Sequence, residues 1–148
     1  MEMLLDGEWV ERPTRMEVRN PQDDSLVDTV PQANPADMCA AIAAAVTGFE
    51  RARRLPVHQR RAMLAQAADL VHARREDFAR TIALEGIKTI REARKEVSRC
   101  VDTLRISAEE TRHLTGETIP FDQRVGSENR LGYFSREPLG VIGAITPF

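Results

Sequence analysis

The stretch that decides the fold is Arg136-Glu137-Pro138-Leu139-Gly140-Val141-Ile142-Gly143-Ala144-Ile145-Thr146-Pro147-Phe148. Pro138 marks a turn, and from Leu139 to Thr146 every residue is apolar or small, with no polar alternation. A run of this kind reads as a strand buried on both faces, and such strands occur in parallel sheets covered by helices. It is far too short to cross a bilayer. In open α/β sheets, ligands bind beyond the carboxyl ends of the strands, so residues 145–148 fall at one wall of a site. A strand buried on both faces needs parallel neighbours to pair its backbone groups. The rest of the sequence offers no such strands, so the expectation is that a partner completes the sheet or that the chain is a truncated part of a longer one.

Upstream of that run the sequence divides into short strands and then helices. Met3-Leu4-Leu5 and Trp9-Val10 flank Asp6-Gly7, a hairpin turn dipeptide. Met16-Glu17-Val18 alternates, Asn20-Pro21 breaks the run, and Leu26-Val27 with Thr29-Val30 suggests another strand. Asn34-Pro35-Ala36-Asp37 supplies an N-cap, a proline at the first helical position and an acid in the first turn. The helix that follows is expected to bury Cys39, Ile42, Ala43, Val46 and Phe49. A second helix runs from about His58 to Gly86 with Met63, Leu64, Ala67, Leu70, Val71 and Phe78 as its stripe.

Thr89-Ile90-Arg91-Glu92 is a capping box. The third helix is expected to bury Ile90, Ala93, Val97, Cys100, Leu104, Ala108 and Thr111, a narrow seam suited to another helix, and to stop at Gly116. Residues 117–138 are polar and turn-rich, with Tyr133-Phe134-Ser135 as a possible strand.

Composition excludes several classes. The 148 residues are 42% apolar and 30% charged with net charge −2, which suits neither a disordered chain nor a dedicated nucleic-acid binder. The cluster Arg51, Arg53, Arg54, Arg60 and Arg61 reads as a solvated helix junction. Cys39 and Cys100 lack metal or redox spacing and read as reduced thiols, and no secretory signal or membrane span is present, so a cytoplasmic location is expected. His58, His72 and His113 are far apart, and no nucleotide-loop, zinc or nucleophile-elbow motif occurs.

Several segments, in order and at matching spacing, resemble the aldehyde dehydrogenase superfamily. The closing segment is similar to its R-E-P-x-G-V-x-G-x-I-x-P-(W/F) entry into the dinucleotide-binding domain. Leu5-Asp6-Gly7-Glu8-Trp9-Val10 resembles I-D-G-x-W. Asn20-Pro21 and Val30-Pro31-Gln32-Ala33 resemble the family's N-P and V-P-x-A signposts. Ala44-Ala45-Val46-Thr47-Gly48-Phe49 resembles A-A-x-x-A-F, Arg60-Arg61-Ala62-Met63-Leu64 resembles R-x-x-(I/M)-L, and Glu96-Val97 falls within E-A-x-x-E-V. One departure is Glu85-Gly86-Ile87-Lys88-Thr89-Ile90, where the family's E-x-G-K pattern has its glycine one place later, and this is expected to shift the helix end.

The resemblance implies an α/β fold, the N-terminal part of an aldehyde dehydrogenase. Residues 1–116 would give strands and three helices of the cofactor-binding domain, 117–138 the start of an oligomerisation β-arm, and 139–148 the first strand of a Rossmann-like sheet. It implies NAD or NADP as cofactor, contacted by Ile145, Thr146, Pro147 and Phe148, and a parent that oxidises a small aldehyde as a homo-oligomer. The family's nucleophilic Cys, general-base Glu and oxyanion-binding Asn have no counterpart here, and neither Cys39 nor Cys100 matches the nucleophile, so this chain is expected to have no catalytic residue and no activity alone.

The segment Glu96 to Asp102 resembles the subgroup acting on lactaldehyde, glyceraldehyde 3-phosphate and phosphonoaldehydes. There, an arginine matching Arg99 can hold an anionic tail; the alternative is an exposed arginine paired with Asp102. A rival to the enzyme reading is a non-catalytic module that docks on a full-length dehydrogenase. Neither membrane nor nucleic acid is expected as a partner.

Overall fold

Asp6 and Gly7 take φ of 51° and 82°, the positive values that a two-residue Asp-Gly turn requires. They fold β1 (Met3–Leu5) back on β2 (Glu8–Val10), with Leu4 opposite Trp9. The computed structural model describes residues 1–146. A second antiparallel hairpin pairs β3 (Arg15–Arg19) with β4 (Leu26–Pro31), with an irregularity between Val18 and Arg19. Four helices follow: α1 (Pro35–Ala52), α2 (Val57–Ala73), α3 (Arg75–Gly86) and α4 (Ile90–Glu110). A third hairpin, β5 (Glu117–Pro120) with β6 (Leu131–Phe134), completes the order, and the three hairpins remain separate two-stranded sheets.

The start of α1 is fixed twice. The Asn34 side-chain oxygen accepts from the backbone N–H of Ala36 at 2.8 Å and of Asp37 at 3.1 Å. Asp37 in return accepts from the Asn34 backbone N–H at 2.9 Å, a reciprocal cap that satisfies donors a helix start leaves open. Arg12, in the link between β2 and β3, donates to the same carboxylate from Nε at 3.1 and 3.2 Å and from Nη2 at 2.5 Å. Asp37 is buried. The Arg12 guanidinium, followed by the Asn34 N–H, holds its carboxyl below the usual carboxylate value. The sequence shows the cap but not the arginine 25 residues away.

The core forms where α4 packs on α2 and α3. Ala93, Val97, Val101 and Ala108 are buried on α4, with Leu104 half-buried and Thr111 buried at its end. At 100° per residue these six positions lie within about 80°, close to the expected seam with one exchange. Val101 takes the place given to Cys100, which is exposed, and Ile90 at the first turn is exposed as well. Ala68 of α2 and Ala79 of α3 face this seam, with Val71, Ile82 and Ala83 packed around the Ala79 side. The buried residues are alanines and valines, so the helix axes approach closely. Ion pairs border the seam: Arg61 with Glu109 at 2.6 Å, Arg105 with Asp69 at 3.5 Å and Arg94 with Glu76 at 2.9 Å. The first two pairs set α2 antiparallel to α4.

Several expectations are corrected. The helix expected from His58 to Gly86 is two helices, broken at Arg74 (φ −103°, ψ 20°). Glu76 and Asp77 then favour a fresh N-terminus by their charge, and Arg74 covers the Phe78 ring at 5.5 Å. Met63, Leu70 and Phe78 are exposed, because the break and the small-residue seam turn Ala68 and Ala79 inward instead. The last helix ends at Glu110, not Gly116, its final turns tightened by Arg112 N–H to Glu109 O and His113 N–H to Glu110 O. Gly116 has a different reason: a Cβ there would overlap the Phe134 carbonyl of the facing strand.

Residues 139–146 form no strand, and Leu139, Ile142 and Ile145 are exposed. A strand buried on both faces requires paired neighbours, and none lies among the described residues. The expected face of α1 is also largely uncovered: Cys39, Ile42, Ala43 and Val46 are exposed and Phe49 is half-buried, while Ala41 and Ala44 are half-buried in their place. No described helix is long and apolar enough to cross a membrane.

The glycine displaced in Glu85-Gly86-Ile87 has a measurable consequence. The helix end is not moved; instead Ile87 occupies the left-handed position, φ 50° and ψ 38°, that ends α3. A β-branched residue there is strained by about 1–2 kcal/mol, a cost glycine escapes. We predict that Ile87→Gly raises stability by about 1 kcal/mol, allowing for the freer unfolded chain, read as a higher urea midpoint of helical circular dichroism; an unchanged or lower midpoint would refute it.

A second prediction concerns acid. The folded Asp37 carboxyl binds its proton more weakly than the unfolded one. Its contribution is therefore complete above the ordinary carboxylate value of about 3.9 and is lost as pH falls through the lower folded value. In an NMR titration, the Arg12 Nε–H resonance should follow that lower midpoint and lose the transition in Asp37→Asn. A midpoint at the ordinary value would overturn the assignment.

Candidate functional site

The outer side of α4, where Arg99 lies, carries a charged groove. Lys88, Glu92, Lys95, Glu96 and Arg99 line an open depression of about 450 Å³. Its two acids are already engaged. Glu96 accepts from Lys88 Nζ at 2.5 Å. Glu92 closes the α4 capping box, accepting from the Thr89 hydroxyl at 2.9 Å and the Thr89 N–H at 3.2 Å. The Thr89 hydroxyl is the main reason the Glu92 carboxyl is held below its usual value.

Arg99 is exposed, and among the described residues it makes no ion pair or hydrogen bond. The alternative pairing with Asp102 does not form: Asp102 lies in a separate groove with His72, Arg75 and Arg105. A planar, unengaged guanidinium beside a second cation, Lys95, is suited to a carboxylate, sulfonate or phosphate.

An apolar groove adjoins this depression and shares Lys88 and Glu96 with it. Pro21, Ile82, Gly86 and Ile87 provide its apolar wall, and its volume is about 490 Å³. The apolar half was not anticipated from sequence, because Pro21 comes from the β3–β4 turn and meets α3 only in the folded chain. Together the two grooves set an apolar wall next to a mixed charged lining, Lys88, Lys95 and Arg99 with Glu85, Glu92 and Glu96, both open to solvent.

The proposed cofactor segment lies elsewhere. Ile145 is fully exposed and Thr146 is exposed, while Pro147 and Phe148 lie outside the described residues. Cys39 and Cys100 are exposed free thiols, and among the described residues neither is hydrogen-bonded to a histidine or a carboxylate. No group of three or more His, Cys, Asp and Glu side chains that could hold a metal occurs among the described residues. The arginine cluster is divided among local partners: Arg53 and Arg54 pair with Glu50, Arg60 donates to the Leu55 carbonyl and Arg61 pairs with Glu109.

Comparison with known proteins connects these features. An aspartate-semialdehyde dehydrogenase of Pseudomonas canavaninivorans is 45% identical over 138 residues, 90% of this chain and 28% of its own length. A 3-sulfolactaldehyde dehydrogenase of Priestia aryabhattai is 38% identical over 99% of this chain and 30% of its own. Among solved structures, an NADP-dependent glyceraldehyde-3-phosphate dehydrogenase from Bacillus halodurans, complexed with NADP, superposes with a TM-score of 0.85 at 32% identity, over 94% of this chain and 30% of that one. The chain thus spans less than a third of these relatives, and its mixed helix-and-strand fold is that of their N-terminal portion. Residues 9–148 match the aldehyde dehydrogenase family, and with the order of hairpins and helices and the shared fold, the chain belongs to that family.

Proposed function

We propose that the protein to which this chain contributes its N-terminal portion oxidises a small, anionic aldehyde to the carboxylate with NAD or NADP. The observation that carries this reading is Arg99, exposed and unengaged beside Lys95 at the edge of an apolar groove. The names of the relatives support it, since aspartate semialdehyde, 3-sulfolactaldehyde and glyceraldehyde 3-phosphate each carry an anionic group. Phosphonoaldehydes belong to the same range, whereas lactaldehyde, in the names of relatives at 32% identity, is small but uncharged and would not engage Arg99 as an ion. Arg99 would hold the anion through paired N–H donors, and Lys95 would add a point charge. The chemistry of nicotinamide, when bound, is to accept the hydride.

Ile145, Thr146, Pro147 and Phe148 are assigned to the adenosine side of the cofactor. What supports that role is that Val141 to Thr146 carry no charge and that Ile142 and Ile145 are exposed apolar side chains. Residues 1–116 are assigned to the cofactor-binding domain and the β5–β6 hairpin within 117–138 to contacts between subunits. The nucleophile, the general base and the oxyanion-binding asparagine are assigned to the part of the fold this chain does not span, and neither Cys39 nor Cys100 serves as the nucleophile.

Two experiments test this reading. In the enzyme with its catalytic portion, Arg99→Ala should raise KM for an anionic aldehyde by about tenfold, the loss of one charge-assisted contact, and leave KM for a neutral aldehyde within about twofold. Equal effects on both would end the assignment. The 148-residue chain by itself, given NAD, NADP and a panel of aldehydes, should produce no reduced nicotinamide above background; turnover by the chain alone would show that it holds its own nucleophile.

A further inference from the structure

Arg99 has an acid within reach and does not use it. Glu96 stands three residues earlier on α4, and side chains at that spacing are neighbours on one helix face, where opposite charges pair readily. Both line the same depression, yet among the described residues no ion pair or hydrogen bond joins them. Glu96 accepts instead from Lys88 Nζ at 2.5 Å, eight residues away and on the link between α3 and α4.

Two features decide that choice. The link is three residues long, Ile87-Lys88-Thr89, closed on one side by the left-handed Ile87 and on the other by the Thr89 cap. A backbone fixed at both ends loses little further freedom when Lys88 pairs. The pair is also sheltered. Its side chains are 30% and 33% exposed, whereas those of Arg94 and Glu76 on the seam border are 56% and 54% exposed. Lys88 and Glu96 share the groove walled by Pro21, Ile82, Gly86 and Ile87, and opposite charges attract more strongly where water is partly withdrawn. Arg99 is exposed, and a pair made out in solvent contributes little. Lys88 therefore wins the carboxylate.

We propose that Lys88 is a positioning residue for the anionic end of the substrate: by holding Glu96 it keeps a carboxylate off Arg99 and leaves that guanidinium open to the substrate's anion. Without Lys88, Glu96 turns to Arg99 and competes with the substrate from within the same helix. Selectivity for charged aldehydes is then set partly in the α3–α4 link, outside the arginine itself. This inference rests on the reading of Arg99 as the anion holder. Arg99→Ala tests that reading, while the pairing of Glu96 is read separately and without substrate.

The test is a double-mutant cycle in the enzyme with its catalytic portion, read as the ratio of kcat/KM for an anionic aldehyde to that for a neutral one of similar size. The neutral aldehyde also serves as the folding control. Lys88→Met should lower the ratio by at least about threefold, the effect of one competing ion pair at a partly exposed site. Glu96→Gln alone should leave it within about 1.5-fold, because that acid is already held. Added to Lys88→Met, the same change should restore the ratio, and Lys88→Arg, which can still hold Glu96, should keep it. A mere loss of positive charge behaves otherwise: Glu96→Gln then raises the ratio by the same factor in both backgrounds, and that result overturns the proposal. In the 148-residue chain, the Arg99 Nε–H NMR signal should shift in Lys88→Met and return when Glu96→Gln is added. An unmoved signal overturns the proposal whatever the kinetics show. A signal that moves as expected, with Arg99→Ala acting equally on anionic and neutral aldehydes, sinks the substrate reading and leaves the control of Glu96 by Lys88 standing.

Discussion

The seam of alanines and valines along α4 organises the rest of the molecule. Ala93, Val97, Val101 and Ala108 are small enough to let α2 and α3 lie close, and no large side chain is fully buried anywhere among the described residues. Such a core gains stability from dense contact rather than from big apolar surfaces. The consequence is a helical unit with ion-paired borders and little hydrophobic reserve. The strands, by contrast, stay as three isolated hairpins, and an isolated two-stranded hairpin is marginal in water. Their geometry depends on ties such as Arg12 to Asp37, which fastens the link between the first two hairpins to the start of α1.

That division explains where the site lies. The depression around Arg99 is built on α4, the best-anchored element, so its cations sit on a rigid backbone. Lys88 and Glu92 are committed to an ion pair and a helix cap respectively, and the remaining positive charge is left outward-facing. The apolar wall beside it comes from the end of α3, where Ile87 is held in a left-handed conformation. Strain at the rim of a groove is compatible with a positional role, although its thermodynamic direction is plain: it opposes the stability of that helix end.

The uncovered surfaces follow from the same physics. An apolar helix and an apolar strand are each stable only against another layer. In this chain α1 has a cap, a proline and an Asp37–Arg12 tie at one end, and among the described residues it packs only lightly, on β1. Residues 139–146 have the composition of an inner strand and no ladder to join.

Much of this was legible in the residues. Asp6-Gly7 specified its turn, Asn34-Pro35 and Thr89 with Glu92 specified two helix starts, and the spacing of Ala93, Val97, Leu104 and Ala108 specified a seam, because each depends on neighbours within a few residues. The family itself was also readable as ordered local patterns. Other features came only with tertiary structure. The break at Arg74 carries no proline or glycine, and the choice of Val101 over Cys100 is decided by where α2 and α3 lie. Arg12 reaches Asp37 across 25 residues, and Pro21 meets Ile82 only after folding. Above all, the composition of Leu139 to Thr146 suits an inner strand, and the structure forms none there. Whether such a run becomes a strand is decided by tertiary structure, because a strand's hydrogen bonds belong to its neighbours and not to itself.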